Sequence, residues 1–252
     1  MRTTLRVAAP ILLLLIAWEM ISRSGFINSA LFPPPTKVIL ALWGMIESRE
    51  IFTDLRASYV RLLGGLSAGA LIGVGLGLLT GRIKFMADVI SPLIQLFRPL
   101  PPVAIIPLVI VWFGIGETAK IFSIAFAVFF PVWLNAHLGA QQVPQRLLWS
   151  ASTLTSSRLK IFWRVIFPAS LPFIVAGMRT GIAVAFVMVF VAELMGASEG
   201  IGYEISTAHL AYRIDKMMAA LAILGASGAL ADYLFAKAIN WKYPWLRFSR
   251  AK

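Results

Sequence analysis

Residues 143–177 read VPQRLLWSASTLTSSRLKIFWRVIFPASLPFIVAG and separate two strongly apolar stretches of the chain. This insert is polar and basic, and its first part has helical spacing, with Leu147, Leu148, Ala151 and Leu154 opposite a row of hydroxyl side chains. A helix this short is marginal alone in water, so it needs a surface to pack on. We therefore expect an exposed helix that touches another protein.

Composition places the rest of the chain in a membrane. Of its 252 residues, 59% are hydrophobic and 13% are charged, whereas about half and about a quarter are usual in soluble domains. The apolar runs are continuous rather than alternating, which favours helices over a barrel. The sequence predicts an all-α, polytopic membrane protein that forms one domain over residues 1–252.

Six apolar stretches are each close to the roughly 20 residues that cross a bilayer. They cover residues 5–21, 62–80, 89–113, 119–138, 173–194 and 217–236. The third contains Pro99, Pro101, Pro102 and Pro107, so we expect it to be kinked or partly unwound. The first could be a signal peptide, but no small-x-small cleavage site follows it, and an uncleaved span is expected.

Charge predicts the orientation. The net charge is +12, and if both termini are cytoplasmic the excess of Lys and Arg falls on inner segments, among them Arg2, Arg6, Arg247, Arg250 and Lys252. The outer segments hold equal numbers of bases and acids. The excess of basic over acidic residues therefore reflects membrane topology here, and nucleic acid is not an expected partner.

Enzyme chemistry has little support in the sequence. There is no cysteine, and His137 and His209 are the only histidines, so thiolate and histidine-rich metal sites are not expected. No G-x-x-x-x-G-K-[ST] phosphate loop and no G-x-S-x-G nucleophile turn occurs. We expect a non-catalytic chain that binds no cofactor itself.

A glycine stripe marks the second apolar stretch. Its members recur every fourth residue and so share one helix face, where another helix backbone can approach closely. They are Gly65, Gly69, Gly73, Gly77 and Gly81. Packing within one subunit is the simpler interpretation, and a moving or dimer interface is the alternative.

The motif F-P-x-x-L-P-x-x-x-x-G-x-R at 167–179 resembles the cytoplasmic loop of bacterial ABC-type import permeases. Three further stretches are similar to the sulfonate, taurine and nitrate group of that family: FPPPTKVI at 32–39, RPLPPVAIIPLVIVWFGIGETAKIF at 98–122 and VAELMGASEGIGY at 191–203. Together these similarities cover nearly the whole chain in order.

The resemblance implies the membrane-domain fold of type I ABC importers in a bacterial plasma membrane. It implies a second permease copy or a sister permease, two ATPase subunits that hold ATP and Mg, and a periplasmic or lipid-anchored solute-binding protein. The loop at about 139–172 would dock on the ATPase, chiefly through a helix over 147–157. Its expected contact residues are Arg146, Leu147, Leu148, Trp149, Ala151, Leu154, Thr155, Ser157 and Arg158.

One departure from the family pattern concerns this loop. The family commonly has Glu-Ala-Ala and then a glycine, and the matching positions here are Trp149, Ser150, Ala151 and Thr155. The acidic contact expected to reach an ATPase arginine is therefore missing. The alternative for this segment is a helix lying on the lipid interface with Trp149 and Trp163 as anchors.

The resemblance implies a small oxyanion as substrate, such as an alkyl sulfonate, taurine or nitrate. A pyrimidine, a thiamine precursor or an aromatic acid is the alternative for the same machinery, and a stand-alone secondary transporter or channel is the contrasting class. Arg98 and Arg179 lie in predicted spans, near the ends expected to be cytoplasmic, where snorkelling explains them, but they could attract an anion. Glu193 is a further candidate for the translocation path.

Overall fold

The computed structural model describes residues 2–246, and Arg247, Arg250 and Lys252 lie outside the described residues, as do the side chains of Arg2 and Arg6. Within this range the chain is helical and contains no strand. The helices are α1 (Arg2–Arg23), α2 (Pro35–Glu47), α3 (Glu50–Arg82), α4 (Lys84–Phe97), α5 (Ile106–Phe113), α6 (Glu117–Gln141), α7 (Gln145–Leu154), α8 (Arg158–Ile161), α9 (Phe167–Leu194), α10 (Ile201–Leu210) and α11 (Ile214–Lys242). The all-α prediction is confirmed.

Within residues 2–246, four helical stretches are long and apolar enough to cross a membrane. They are α3, α6, the stretch Arg158–Leu194 and α11, and a bent pair adds a fifth candidate span. Each contains one of the predicted spans. The helices are longer than the predicted apolar stretches because they include polar turns at their ends. For example, α3 begins twelve residues before the predicted span. α1 covers the first predicted span, but the side chains of its first residues are not described.

The predicted break in the third span is confirmed. α4 ends at Phe97, and the chain resumes with a 3₁₀ turn at Pro102–Ile105 that leads into α5. The two halves are bent by 85°. Prolines at 99, 101 and 102 remove three backbone donors, and Pro101 is itself extended, so the helix cannot continue through the bend.

α3 and α6 show that this bent pair crosses the membrane. Gly65 lies against Ile124, and sixteen residues later Gly81 lies against Ala140, so the two helices run in the same direction. Two parallel spans can follow one another in a chain only if the intervening segment returns to the starting side. The α4–α5 pair is therefore a broken span rather than a loop that re-enters on one side.

Two compact units make up the chain. One contains residues 59–192 and the described part of 227–252, and its core includes Leu78, Trp133, Ala136 and Ile174. The other contains residues 193–226 and those up to Ser58. Whether the chain acts as the single domain predicted from the sequence stays a prediction.

Candidate functional site: the docking segment and the membrane-depth charges

The segment between α6 and α9 contains a helix, α7, that is held to its own chain on one side only. Leu148 and Ala151 are buried, and Leu148 packs in an apolar cluster with Val143 and Ile166. The predicted helix over 147–157 is corrected to Gln145–Leu154. It stops there because Thr155 is extended and the Ser157 hydroxyl caps the next helix by accepting from the Lys160 amide.

The opposite side of α7 leaves large apolar side chains uncovered. Leu154 is 87% exposed, Trp149 65% and Leu147 44%. If the whole apolar side of α7 packed on the chain, its four apolar residues would all be buried. Only Leu148 and Ala151 are buried in the structure. Those two residues anchor α7 to its own chain, and the remaining apolar surface has no cover within the described residues.

A continuous helical run follows this segment. α8, a π-helical turn at Phe162–Ile166 and α9 join without interruption, so the stretch Arg158–Leu194 leads from α7 into the membrane. π-helical turns are rare in proteins, and those that occur are often at functional sites. Three residues, Thr155 to Ser157, join α7 to this run, so a short non-helical linker connects α7 to a spanning helix. Of the predicted contact residues, Arg146 and Arg158 are exposed at the two edges of this segment.

All five stripe glycines lie in the contact between α3 and α6. A Cβ atom would stand 2.5 Å from the Ile124 Cβ at Gly65, 2.6 Å from the Ala136 Cβ at Gly77 and 2.6 Å from the Ala140 Cβ at Gly81. Real Cβ atoms do not approach so closely, so any larger side chain would force the helices apart. In this structure the stripe packs within one subunit. Gly75, on another face, has nothing within 4 Å.

Arg179 forms an ion pair that sequence reasoning did not find. Its guanidinium donates to both carboxylate oxygens of Asp232 on α11, at 2.8 and 2.6 Å. Neighbouring Gly177 lies against Asn135 and the Pro131 carbonyl, which are about 9–15 Å along the axis from the last residue of α6. Arg179 is thus deeper in the span than expected, and the pair is 39% exposed on both side chains.

Arg98 and Glu193 occupy different environments. Arg98 follows α4 directly, at the bend of the broken span, and is exposed. Glu193 is 1% exposed and accepts hydrogen bonds from the Ser58 hydroxyl at 2.8 Å and the Gly202 amide at 2.8 Å. Its carboxylate therefore does not face an open path in this structure.

Glu193 belongs to a buried polar network at the start of α10. The amide of Gly200 donates to Asp54 at 2.7 Å, and the amide of Ile201 donates to Ser58 at 2.9 Å. The otherwise unpaired amides at this helix terminus thus meet acidic and hydroxyl acceptors, which also suits the helix dipole. We name Asp54, Ser58 and Glu193 with these amides the α10 cap.

Two charged groups near the α10 cap have altered titration. Burial raises the pKa of Glu204, an effect that Lys216 partly opposes and that Asp54 and Glu50 reinforce. A hydrogen bond to Asp215 raises the pKa of Arg213. Three residues after Ser58 on α3, Arg61 is buried and donates to Glu117 at 2.6 and 2.9 Å, and Lys120 reaches the same carboxylate at 3.0 Å.

Comparison with known proteins identifies the family to which this chain belongs. Residues 69–240 fit the family described as "Binding-protein-dependent transport system inner membrane component". The chain belongs to this family. It is a membrane-spanning permease of the ABC importer type, and such a permease works with an ATPase and a solute-binding protein.

Two relatives and two solved structures illustrate the match. The chain is 34% identical over 217 residues to "Taurine transport system permease protein TauC" of Escherichia coli K12, covering 84% of this chain and 78% of that one. It is 31% identical over 241 residues to "Nitrate import permease protein NrtB" of Synechocystis, covering 92% and 86%.

Among solved structures, the fold is similar to a chain of the inward-facing MetNI methionine ABC transporter. The TM-score is 0.60 at 20% identity, with 77% of this chain and 94% of that chain covered. An amino acid ABC transporter with histidines gives a TM-score of 0.58 at 18% identity, with 79% and 96% covered. At these identities the likeness shows the fold, and the predicted importer membrane-domain fold is confirmed.

Proposed function

We propose that this permease forms the path by which a small oxyanion, such as an alkyl sulfonate, taurine or nitrate, enters a bacterial cell. The relatives that act on taurine and nitrate support this substrate class. Arg98, exposed at the bend of the broken span, suits a path for anions because an arginine can bind a sulfonate or nitrate oxygen. Arg179 joins this path in the state in which its pair with Asp232 opens.

The observation that carries the ATP-driven part of the proposal is the uncovered apolar face of α7. The ATPase docks here, with Trp149 and Leu154 filling a groove on its surface. The helix lies on the side where α3 and α6 end, which we assign to the cytoplasm together with both termini, in line with the basic inner segments. ATP and Mg bind to two ATPase copies, and this chain binds neither and performs no catalysis.

Transport then follows from a two-state membrane assembly. Two permeases, either two copies of this chain or this chain and a sister subunit, enclose the path beneath a periplasmic or lipid-anchored solute-binding protein. ATP closes the ATPase pair, draws the α7 helices together and, through the continuous stretch that follows, rocks the spans to open outward. ATP biases this equilibrium by its differential contacts with the two states.

Reconstitution tests this function. Liposomes containing the permease, its ATPase and its binding protein should accumulate radiolabelled taurine, an alkyl sulfonate or nitrate only when ATP is enclosed on the ATPase side. A pyrimidine and an aromatic acid serve as the competing substrates. Uptake at full rate by the permease alone, driven by an ion gradient, would instead identify a secondary carrier.

A further inference from the structure

A cleft of about 690 Å³ lies between α3 and the helical run that follows α7. Its walls are apolar and include Leu71, Val74 and Leu78 on α3, and Trp163, Phe167 and Ile174 opposite. No residue of α7, no stripe glycine and neither member of the Arg179–Asp232 pair lines this cleft. Nothing in the proposed transport function uses it.

The cleft is open along the membrane half in which α3 ends. It extends along α3 from Ser67 to Leu79, a rise of about 18 Å, which is close to the roughly 15 Å of hydrocarbon in one leaflet. Leu71 is 75% exposed and Trp163 57%. Gly75 lines the cleft with nothing within 4 Å of where its Cβ would be, so the absence of a side chain there keeps the groove open.

Three basic residues are close in the chain to residues that line the cleft. On α3, Arg82 follows Leu78 by four residues and so continues the face that lines the cleft. Lys160 precedes Trp163 by three residues on the opposite wall, and Arg164 follows Trp163 directly; both are exposed. Arg82 is half-buried and donates to the Ala140 carbonyl at 3.5 Å. From this spacing we infer that the three charges lie at the end of the apolar groove where α3 ends.

We propose that this cleft binds one anionic phospholipid of the cytoplasmic leaflet, with an acyl chain in the groove and its phosphate among Arg82, Lys160 and Arg164. Basic pockets between spanning helices on the cytoplasmic side are suited to acidic headgroups. A helix from another subunit fits less well, because an apolar spanning helix brings no anionic group to these three basic side chains. The assignment to the cytoplasmic leaflet rests on the orientation in the proposed function, whereas the lipid site itself does not.

Native mass spectrometry of the complete transporter tests the site. The complex is purified from nanodiscs with equal amounts of phosphatidylglycerol and phosphatidylethanolamine. We expect one phosphatidylglycerol retained per permease and no matching retention of phosphatidylethanolamine. Gly75→Leu fills the groove and should abolish retention, and Arg82→Gln and Lys160→Gln should each weaken phosphatidylglycerol binding by roughly fivefold.

Matched controls change the same chemistry elsewhere. Gly225→Leu adds the same side chain at another open helical glycine, and Lys237→Gln removes an exposed charge from α11; both should retain phosphatidylglycerol as the unaltered protein does. Equal retention of the two lipids, or unchanged retention in Gly75→Leu, would overturn the proposal. So would a cross-link from a single cysteine at position 75 to another subunit. Lipid retention with failed taurine or nitrate uptake would leave this site standing and count against the transport function alone.

Discussion

The two regions at the ends of α9 are built in opposite ways. At one end, the α10 cap places Glu193, Asp54 and Ser58 against backbone amides, with buried groups satisfied inside the chain. At the other, α7 is covered on one side and leaves Trp149 and Leu154 uncovered. The contrast teaches where a partner is needed: a surface whose partners are already in the chain is closed, and one whose partners are absent stays apolar and exposed.

Removing the central carboxylate of the closed region should have the largest effect on folding. Glu193→Ala leaves the Gly202 amide and the Ser58 hydroxyl without their acceptor in a buried place, which should cost about 3 kcal/mol or more. The measurement is thermal unfolding of the purified permease in detergent. Glu47→Gln, at an exposed position on α2, is the control. Equal loss of stability in both variants would show that the hydrogen bonds of the α10 cap do not contribute specifically to stability.

The open region should respond differently. Leu154→Asp places a charge in the proposed contact with the ATPase and should weaken association with the ATPase by roughly thirtyfold, because truncating an interface anchor costs about 2 kcal/mol. The permease itself should insert and fold normally, since Leu154 is exposed. Leu148→Asp, on the buried side of the same helix, should instead disturb the permease. Normal ATPase co-purification and stimulation with Leu154→Asp would place the contact elsewhere.

The same contrast between a covered and an uncovered surface occurs along α3. Gly73→Leu should lower the folded yield and destabilise the protein by about 1–3 kcal/mol, because its Cβ would lie 3.0 Å from the Phe129 carbonyl oxygen. Gly75→Leu adds the same side chain to open space and should fold normally. Quantified expression and monodispersity of both variants, compared side by side, provide the test. Equal yields would mean that α3 and α6 can separate without cost.

The smallest expected effect is a pH dependence at Glu204. Burial raises its pKa, so ionising it opposes folding, and the stability present below its unfolded pKa is lost as pH rises through the folded pKa. Glu204→Gln should therefore stabilise the protein slightly at neutral pH, and the difference should shrink as pH falls towards 4.5. Melting temperatures of both proteins across this range would show it. A pH-independent difference would contradict the buried-carboxylate explanation.

Much of the fold was predictable because it depends on local patterns. Continuous apolar stretches define the spans, the four proline positions define the broken span, and a four-residue period defines the glycine face. The length of α3 was not predicted, because its first turns contain Asp54, Arg56 and Arg61 and do not look like a span. Asp54 and Arg61 are stabilised there by contacts with Gly200 and Glu117 that only the folded chain provides.

The candidate site was predicted less completely, for a different physical reason. The amphipathic pattern of α7 identified an apolar side but could not say that Leu148 and Ala151 would be covered by the chain while Leu154 would not. The pairing of Arg179 with Asp232 joins helices 53 residues apart, and that of Ser58 with Glu193 joins residues 135 apart. Such separations leave no local periodicity to read.

Cross-linking from single cysteines tests the central claim most directly, because the chain contains no cysteine of its own. Leu154→Cys and Tyr212→Cys are both well exposed, at 87% and 81%, and are matched in access but lie on opposite sides of the proposed topology. With a thiol-to-amine cross-linker in the assembled transporter, position 154 should join the ATPase, and position 212 should not. A product between position 212 and the ATPase, with none from position 154, would contradict both the orientation and the docking surface.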